Sequence, residues 1–536
     1  MAFLDLSRRG DSSNLAGAIS DLAALPDGGR VVTAVRAGDG TLKLIHWEIH
    51  PDGSVARLGD SGSQAGAASH LALARSGRYV AACRTGAGNL KLINWDVSAS
   101  GPITRAGDSG SQAGAATLIE IVGLAGGLFV VACRTGAGDL KLISWRLNAD
   151  GTLTRLADSG TAAGTVSEIA LIDVSAGGAT SLLTAVRDGD GDLKLITWSV
   201  AASGTIARLG DSGDQAGSAT MIRAARTPAG PIVTSVRDGS GNLKLITWQL
   251  SADRTTITRR ADSGGQAGSI GDNALLAFED GVVSAVRDGG GNLKLISWAV
   301  APTGAVTRRG DSGAQAGNAS MIQLLAGNRA ADAVGRSVTM ITPVRTAAGT
   351  LKLITWGPPT CIGVHVRTLV EPDIDVDTMF DRMREAYATV GITVNRLTTA
   401  NLDLPLLEDL DVGRCIRGET TDEQDELFAN RDGVGANEVV VYFVRSTDPP
   451  LNGCAAHPAG QPGAVVARVA SQFTLGHEIG HVLGLRHCDT DDNCLLNRLM
   501  TGCGTANINK VPPDLIDSEA ETMHGSNLTV ACEGGS

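Results

Sequence analysis

The chain has 536 residues, 43% of them hydrophobic, with 69 glycines and a formal net charge of −12 at pH 7. This length exceeds what one hydrophobic core supports, so it predicts two or more domains. No apolar run is long enough to cross a bilayer, and the excess of acidic residues argues against nucleic acid and anionic membranes as partners. We therefore expect no membrane insertion, and we expect a monomer.

Residues 1–358 form a repeat array with a period near fifty residues. Within the unit 69–110, four short extended runs alternate with turns rich in glycine, asparagine and aspartate. Four short strands per unit, repeated seven times, predict an all-β domain, a seven-bladed β-propeller. The pattern Leu-Lys-Leu-Ile-x-Trp marks each unit and includes every tryptophan of the chain: Trp47, Trp95, Trp145, Trp198, Trp248, Trp298 and Trp356.

The ends of the array predict how the ring closes. Six units continue past their tryptophan into Arg-x-Gly/Ala-Asp-Ser-Gly, and the seventh does not. At the other terminus, Arg8-Arg9-Gly10-Asp11-Ser12 repeats the residues at 308–312. The N-terminal strand should therefore complete the last blade and remove the free edges of an open ring. On this interpretation Arg9-Gly10-Asp11 is a strand element rather than an adhesion motif.

Each repeat also carries an arginine and a lysine near its tryptophan, such as Arg84, Lys91 and Trp95. One interpretation is seven equivalent ligand pockets with an aromatic platform, as in propeller lectins. The other is that tryptophan fills the space between blades while arginine, lysine and aspartate form a paired network, and we favour this second one. The run 188–192 resembles a calcium loop, but we interpret it as a hairpin turn.

A second domain, 361–536, follows a linker rich in proline and glycine. Its composition differs, with 27 acidic and 12 basic residues. Residues 362–370, 392–397 and Val439–Val444 are predicted strands, and 376–390 a predicted amphipathic helix. Seven of the nine cysteines also lie here, which predicts disulfides and a secreted, extracellular protein, although residues 1–10 show no signal peptide. They are Cys361, Cys415, Cys454, Cys488, Cys494, Cys503 and Cys532.

The most specific functional motif in the sequence is His477-Glu478-x-x-His481-x-x-Gly484-x-x-His487. Histidines four apart share one helix face, so both imidazoles can reach one ion. Gly484 can end the helix in the left-handed conformation and turn the chain back, which makes His487 a third ligand. Three protein ligands leave the fourth position of a zinc ion open, as catalytic sites require, and Glu478 is placed to accept a proton from water.

This pattern resembles the metzincin clan of zinc endopeptidases. Leu499-Met500-Thr501-Gly502 is similar to the methionine turn of that clan, and its spacing is most like the matrixin and pappalysin-like branches. The resemblance implies an α+β metallopeptidase domain, in which Met500 supports the ligands without binding zinc. It departs from the astacin-like and serralysin-like branches, because Gly502 stands where they place a tyrosine ligand, and the matrixin Pro-Arg-Cys-Gly segment does not occur.

The resemblance also implies how a substrate docks. Ala464, Val465, Val466 and Ala467 precede the histidine motif and are predicted to form a short strand. In the resembling families an edge strand at this place pairs with an extended peptide through main-chain hydrogen bonds.

The predicted function is a zinc-dependent endopeptidase that cleaves proteins or peptides, with a propeller that binds the substrate or a cell-surface ligand, protein or glycan. The alternative is a propeller lectin or adhesin with an accessory or inactive metallopeptidase domain. Zn²⁺ is the predicted cofactor. The carboxylates of 489–492 could also hold Ca²⁺, although solvated charge is the simpler interpretation.

Overall fold

The computed structural model describes residues 6–313, 315–489 and 493–532. The first strand, β1 (Ser7–Asp11), belongs to the last blade of a propeller. Blades 1 to 6 are four-stranded antiparallel meanders. Their strands are β2 (Ile19–Asp27), β3 (Arg30–Ala37), β4 (Leu42–Ile49), β5 (Val55–Asp60), β6 (Ala68–Ser76), β7 (Arg78–Thr85), β8 (Leu90–Val97), β9 (Ile103–Asp108), β10 (Ala116–Leu124), β11 (Leu128–Thr135), β12 (Leu140–Leu147), β13 (Leu153–Asp158), β14 (Val166–Asp173), β15 (Ser181–Asp188), β16 (Leu193–Val200), β17 (Ile206–Asp211), β18 (Ala219–Arg226), β19 (Ile232–Asp238), β20 (Leu243–Leu250), β21 (Ile257–Asp262), β22 (Ile270–Phe278), β23 (Gly281–Asp288), β24 (Leu293–Val300) and β25 (Val306–Asp311). A 3₁₀ turn, Ala125–Gly127, joins β10 to β11.

Blade 7 contains both ends of the repeat array. It consists of β26 (Ala319–Ser320), β27 (Leu325–Ala326), β28 (Met340–Thr346) and β29 (Leu351–Gly357), and β1 pairs antiparallel with β29. A backbone bridge joins each blade to the next, and the one between Ala18 and Thr350 joins blade 7 to blade 1. The seven-bladed propeller predicted from the repeats is confirmed, and its ring is closed by hydrogen bonds between the two ends of the array.

The seven repeat tryptophans are core residues, because each is 0% exposed. Five indole N–H groups donate to a hydroxyl fourteen positions earlier in the chain, as Trp198 does to Thr184 at 3.0 Å. The other two, Trp95 and Trp145, have alanine and valine at that position, and their Nε1 atoms have no partner among the described residues. None of these rings can serve as an aromatic platform for a ligand, so that interpretation is wrong.

The outer strands carry a repeated ion pair. In each blade the arginine pairs with the aspartate three residues later, and both groups keep contact with solvent except at Asp11, whose side chain is buried. The arginines also cross to the preceding blade; Arg105, for example, donates from its backbone to Gln64 at 2.7 Å. This network fixes blade against blade. The pairs are Arg8/Asp11, Arg57/Asp60, Arg105/Asp108, Arg155/Asp158, Arg208/Asp211, Arg259/Asp262 and Arg308/Asp311.

Two motifs that suggested ligands are structural. Arg9 and Asp11 are 1% and 2% exposed within β1, so the Arg9-Gly10-Asp11 tripeptide is not accessible to a receptor. Asp188 accepts hydrogen bonds from the backbone N–H groups of Asp190 and Asp192 and pairs with Lys194. The run 188–192 is therefore a hairpin turn, as expected.

The rest of the chain folds around one mixed sheet with strand order β31, β30, β33, β36, β35. The elements are β30 (Thr360–Thr368), α1 (Val376–Ala388), β31 (Ile392–Asn401), the 3₁₀ turn Pro405–Leu407, β32 (Asp409–Asp411), α2 (Asp422–Phe428), β33 (Val439–Val444), β34 (Ser446–Asp448), β35 (Gly453–Cys454), β36 (Gly463–Ala467), α3 (Thr474–Val482), the 3₁₀ turn Thr505–Asn507, α4 (Asp517–Gly525) and β37 (Val530–Ala531).

The sheet is buried on both faces. Alternate residues of β33 point to opposite sides: Val441 packs into the core that contains α1 and α3, and Tyr442 into the core that contains α2. Helix α3 is held against α1, where the Tyr387 hydroxyl donates to the carbonyl of Gly476 at 2.9 Å. The sheet thus supports the helix that carries the histidine motif.

One strand assignment needs a correction. Ala464, Val465, Val466 and Ala467 do form a strand, β36, but it lies inside the sheet between β33 and β35 and is at most 1% exposed. The outermost position belongs to β35, which runs antiparallel, with Gly453 opposite Val466. Main-chain groups available to an added strand therefore belong to β35 rather than to β36.

Three disulfides stabilise this half: Cys361 with Cys532, Cys415 with Cys454 and Cys494 with Cys503. The third connects the loop after His487 to residue 503, and Cys488 is a free thiol. Three disulfides indicate an oxidising environment. The start of the chain, residues 1–5, on which the expectation about a signal peptide partly depends, lies outside the described residues. Within the described ranges no helix has the length and apolar character needed to span a bilayer.

Strand β1 and helix α4 join the propeller to the second half. The carboxylate of Asp517 accepts from Arg8 at 2.9 Å and from Lys352 at 3.3 Å. The Arg336 guanidinium donates to the carbonyls of His524 and Ser526. Both parts therefore share a polar, largely covered seam.

Candidate metal centre

Helix α3 positions the first two histidines and Glu478. It begins at Thr474, whose hydroxyl lies 2.7 Å from that of Thr505, and Ser471 also contacts Thr474. His477 and Glu478 are 5% and 7% exposed. Phe473 occupies the N-cap position without a side-chain capping bond, and little of either His477 or Glu478 is open to bulk water.

The end of α3 turns the chain back toward the helix. Gly484 has φ +108°, and its N–H donates to the carbonyl of His481 at 3.0 Å. The N–H of Leu485 donates to the carbonyl of Gly480 at 3.0 Å. These two bonds form a Schellman motif, which requires the left-handed conformation that glycine adopts at low cost. The reversed chain brings His487 over the face that carries His477 and His481.

The three histidines converge on one point. Their Nε2 atoms lie 3.1 Å apart for His477 and His481, 3.1 Å for His481 and His487, and 3.3 Å for His477 and His487. Nitrogen ligands about 2.0–2.1 Å from one tetrahedral zinc would be about 3.3–3.4 Å apart, equal to or slightly more than the three observed distances. The nitrogen triangle thus fits a zinc ion, with a fourth position left to water or substrate. Among the described residues, no other group of three histidine, cysteine, aspartate or glutamate side chains comes together in this way.

Backbone carbonyls fix the orientation of two imidazoles. Nδ1 of His477 lies 2.8 Å from the carbonyl oxygen of Leu499, and Nδ1 of His481 lies 2.9 Å from that of Leu485. Since a carbonyl only accepts, Nδ1 carries the proton and the lone pair of Nε2 faces the centre of the cluster. Burial, with the neighbouring His481 second, lowers the pKa of His477 to about 3, so this ligand stays neutral.

The segment 499–502 packs against the histidine cluster. The Leu499 carbonyl orients His477, and a Cβ on Gly480 would lie 2.7 Å from the Met500 sulfur, so Met500 packs directly on the turn between the two helical histidines. A Cβ on Gly502 would lie 3.1 Å from Nδ1 of His487. Met500 is 0% exposed, so its side chain is part of the core against which the cluster packs.

Asp489 has a role that the sequence did not indicate. Its carboxylate accepts from the backbone N–H of Leu495 at 2.8 Å, from the Thr501 hydroxyl at 3.1 Å and from the Gly502 N–H. Burial opposes ionisation, but these hydrogen bonds outweigh it and lower the pKa of Asp489. This carboxylate ties the His487 loop to 501–502, so interpreting it as solvated charge is wrong. Thr490, Asp491 and Asp492, the other residues of the expected calcium loop, lie outside the described residues.

Glu478 lies beside the cluster and is 7% exposed. Burial raises the pKa of its carboxyl to about 8, and the side chain has no hydrogen-bond partner among the described residues. A Cβ on Gly453 would lie 2.6 to 2.8 Å from its Cγ, Cδ and Oε1 atoms, so the backbone of β35 passes directly over the carboxyl group. This contact was not predictable from the sequence, because strand β36 and the start of α3 separate Gly453 from Glu478 along the chain.

The remaining histidines of this half have partners of their own. His365 contacts Thr398 and Glu438, His457 contacts the carbonyl of Pro458, and His524 lies between Thr360 and the carbonyl of Val390. These contacts give the three residues structural roles.

No protein-family model matches the sequence, and no curated protein matches it either. Among solved structures, the Saccharomyces cerevisiae protein Sqt1 is 12% identical with a TM-score of 0.41 and is matched over 66% of this chain and 99% of its own. The SapL1 lectin, solved in complex with alpha methyl fucoside, is 14% identical with a TM-score of 0.36, over 55% and 96%. The periplasmic gluconolactonase PpgL of Pseudomonas aeruginosa is 12% identical with a TM-score of 0.41, over 54% and 84%.

Proposed function

We propose that this protein is a zinc-dependent endopeptidase whose catalytic domain is residues 361–536. The observation that carries the proposal is the convergence of three Nε2 atoms within 3.1 to 3.3 Å of one another, with Glu478 beside them on the same helix. The resemblance to metzincins rests on the same residues and on 499–502. His477, His481 and His487 would hold Zn²⁺, and the ion would polarise a carbonyl group and acidify water.

The side chains around the cluster have distinct tasks in this proposal. Glu478 accepts the proton of the attacking water and delivers it to the leaving amine. Because no side chain or backbone group of the described residues donates to it, its carboxyl is free to accept from water, and a nearby positive charge would favour its ionised form. The carbonyls of Leu485 and Leu499 hold the imidazoles in the tautomer that binds metal. Close packing of Met500 on Gly480 holds the segment 499–502 against the helix that carries His477 and His481.

Peptide substrates are proposed to dock along β35. This strand is the outermost of the sheet, and its backbone contacts the catalytic carboxyl group at Gly453. An extended peptide added to such an edge gains main-chain hydrogen bonds without a requirement for sequence, and its scissile bond would pass close to Glu478.

The decisive experiment compares the wild type with Glu478→Gln in the hydrolysis of a protein substrate such as casein. We expect turnover to fall by about 10²–10⁴-fold, since general-base catalysis contributes that much, while zinc stays at one ion per chain. A chelator should abolish wild-type activity, and added Zn²⁺ should restore it. Hydrolysis by Glu478→Gln at the wild-type rate would remove Glu478 from the mechanism.

The propeller is proposed to bind a protein or a glycan rather than to take part in chemistry, because the ligand set and Glu478 all lie within 477–487. Binding of the full-length Glu478→Gln protein to a glycan array and to immobilised substrate separates the two ligand classes. Glycan binding by a zinc-loaded wild type that cleaves no peptide would favour the alternative, a lectin with an inactive peptidase domain.

A further inference from the structure

The outer-strand ion pair of blade 7 holds a carboxylate that comes from outside the propeller. Arg8 and Lys352 both bind Asp11 of their own blade. Both also bind the carboxylate of Asp517, at the start of α4, at 2.9 Å and 3.3 Å. Two cations and two carboxylates leave this cluster without net charge. Blade 7 thus shows that an arginine, a lysine and an aspartate arranged in this way accept a further carboxylate.

The repeat builds the same cluster in blade 2. Lys91 Nζ lies 3.1 Å from the carboxylate of Asp108, and Arg105 pairs with the same group. The corresponding lysine distance in blade 7 is 3.0 Å. The backbone N–H of Arg105 donates to Gln64 at 2.7 Å, and the equivalent bond in blade 7 is 2.6 Å long. The side chains of Lys91 and Arg105 are 28% and 30% exposed, so this cluster is open to solvent.

The hairpins between the second and third strands distinguish blade 2 from the other blades. In blade 4 the hairpin residue Asp188 pairs with Lys194 at 3.2 Å, so the blade's own carboxylate already neutralises its lysine. Each of the hairpins of blades 1, 3, 5 and 6 also contains an aspartate: Asp39, Asp139, Asp238 and Asp288. The hairpins of blades 2 and 7, residues 85–89 and 346–350, contain no acidic residue. Two cations and one carboxylate therefore leave the blade 2 cluster with one positive charge, which is the charge that α4 neutralises in blade 7.

The repeat also leaves space for a ligand beside this cluster. In blade 5 the equivalent lysine and arginine, Lys244 and Arg259, line a cavity of about 330 Å³. Ser218 and Ser240 form part of its wall, and blade 2 has alanine at both of these positions. The volume exceeds the roughly 30 Å³ share of a single water about tenfold, so a carboxylate side chain fits in such a space.

We propose that the cluster of Lys91, Arg105 and Asp108 binds an aspartate or glutamate side chain of an acidic protein segment. Arginine and lysine bind a carboxylate through charge-assisted hydrogen bonds, which are stronger than neutral ones. A protein segment is favoured over a carboxylated glycan because the group bound in blade 7 belongs to an acidic polypeptide, residues 517–521. This inference rests on the proposed binding role of the propeller, whose ligand it names, and it does not depend on the zinc chemistry.

The test uses a fluorescein-labelled peptide with the sequence of residues 515–523, which includes the segment bound in blade 7. Its binding to the full-length Glu478→Gln protein is measured by fluorescence anisotropy at low ionic strength, where exposed ion pairs are least screened. Saturable binding is expected, and adding Lys91→Gln to this protein should weaken it about tenfold, because a hydrogen bond between charged groups is lost. Lys194→Gln is the matched control and should leave the affinity unchanged, since Asp188 already pairs with that lysine.

A second peptide, with amides in place of its three acidic side chains, should bind about tenfold more weakly than the first. If Lys91→Gln does not fold, this comparison decides instead, and equal affinities of the two peptides would contradict the site. Equal affinity with and without Lys91→Gln, or no saturable binding of the acidic peptide, would also overturn the proposal. Lys91-dependent binding of an oligogalacturonate without binding of the peptide would assign the cluster to a glycan and exclude the protein segment. Casein hydrolysis is measured separately, so failure of the catalytic proposal leaves this result unaffected.

Discussion

At the scale of single residues, the candidate site depends on glycines as much as on histidines. Gly453, Gly480 and Gly502 each stand where a Cβ would meet Glu478, Met500 or His487 within 2.6 to 3.1 Å. Each therefore lets a backbone segment approach a functional side chain more closely than any other residue would allow. The motif contains the groups proposed to perform chemistry, and these glycines allow the close packing that positions them.

Gly453→Ala tests this dependence at the Glu478 carboxyl, the proposed general base. The added methyl group would lie 2.6 to 2.8 Å from Glu478, so either the side chain or β35 must move. A displacement of about 1 Å costs roughly 100-fold in rate, and we expect kcat/KM to fall by about that factor with zinc content unchanged.

The control for this variant is Gly525→Ala, because a Cβ at Gly525 meets no atom within 4 Å. It should hydrolyse casein like the wild type. Wild-type kcat/KM in Gly453→Ala would show that β35 does not constrain the carboxyl group.

At the scale of elements, His487 differs from the other two histidines, because it lies outside any helix or strand, between α3 and the segment 499–502. The loop that holds it is fixed by the Asp489 carboxylate and by the disulfide between Cys494 and Cys503. Supports of this kind around metal ligands are typically responsible for 10- to 100-fold in metal affinity.

Removal of this disulfide by Cys494→Ser with Cys503→Ser should therefore weaken zinc binding about tenfold, measured by competition with a chromophoric chelator. The matched control removes the disulfide between Cys361 and Cys532, which joins β30 to the C-terminal segment away from the cluster. That variant should lose stability and keep its zinc affinity. Equal zinc affinities for both variants would show that the bridge does not support His487.

Much of the element pattern was predictable because it follows from local periodicity. Val439–Val444 forms a strand with the predicted bounds, and the predicted helix 376–390 is observed over Val376–Ala388. Strand β35 was missed because two residues, Gly453 and Cys454, carry no alternating pattern. The apolar run around Val465 is equally consistent with an edge or an interior strand, and only the neighbour on its far side decides between them.

Contacts between distant residues account for the rest. The disulfide partners cannot be derived from cysteine spacing, since many pairings fit seven cysteines. The roles of Asp489 and Leu499 depend on hydrogen bonds to groups that lie near them only after folding. In contrast, closure of the ring by β1 was predictable, because the repeats show that the last unit lacks a strand that the first residues supply.

At the scale of the whole molecule, the N-terminal strand has two partners. It completes blade 7 against β29, and its Arg8 side chain binds Asp517 at the start of α4. His524 is also buried at the seam. Its Nδ1 hydrogen-bonds with the hydroxyl of Thr360, and its Nε2 donates to the carbonyl of Val390. The folding of the propeller and the attachment of the second half are thus linked through one short strand.

The seam should make stability sensitive to acid. Burial, and then the nearby Arg9, lower the pKa of His524 to about 3, below the usual value near 6.5. The unfolded chain therefore binds a proton that the folded protein does not, and the free energy of unfolding falls as pH drops from about 6.5 toward 3. We expect a loss on the order of 1–2 kcal/mol between pH 6.5 and 5, measured by denaturant unfolding of the zinc-loaded protein.

His524→Gln removes the titrating ring, so its free energy of unfolding should lose about 1–2 kcal/mol less than that of the wild type between pH 6.5 and 5. His457→Gln lies outside the seam and should change this pH dependence less. The same slope in wild type and His524→Gln would mean that His524 does not contribute to acid sensitivity.

The measurement that tests the central claim most directly is zinc K-edge X-ray absorption of the purified protein. A zinc ion bound by three imidazoles and one water should show about three nitrogen ligands and one oxygen ligand near 2.0–2.1 Å, with one zinc per chain. The free thiol of Cys488, next to His487, makes the alternative specific. A sulfur ligand near 2.3 Å, or the absence of stoichiometric zinc, would contradict a catalytic metal centre.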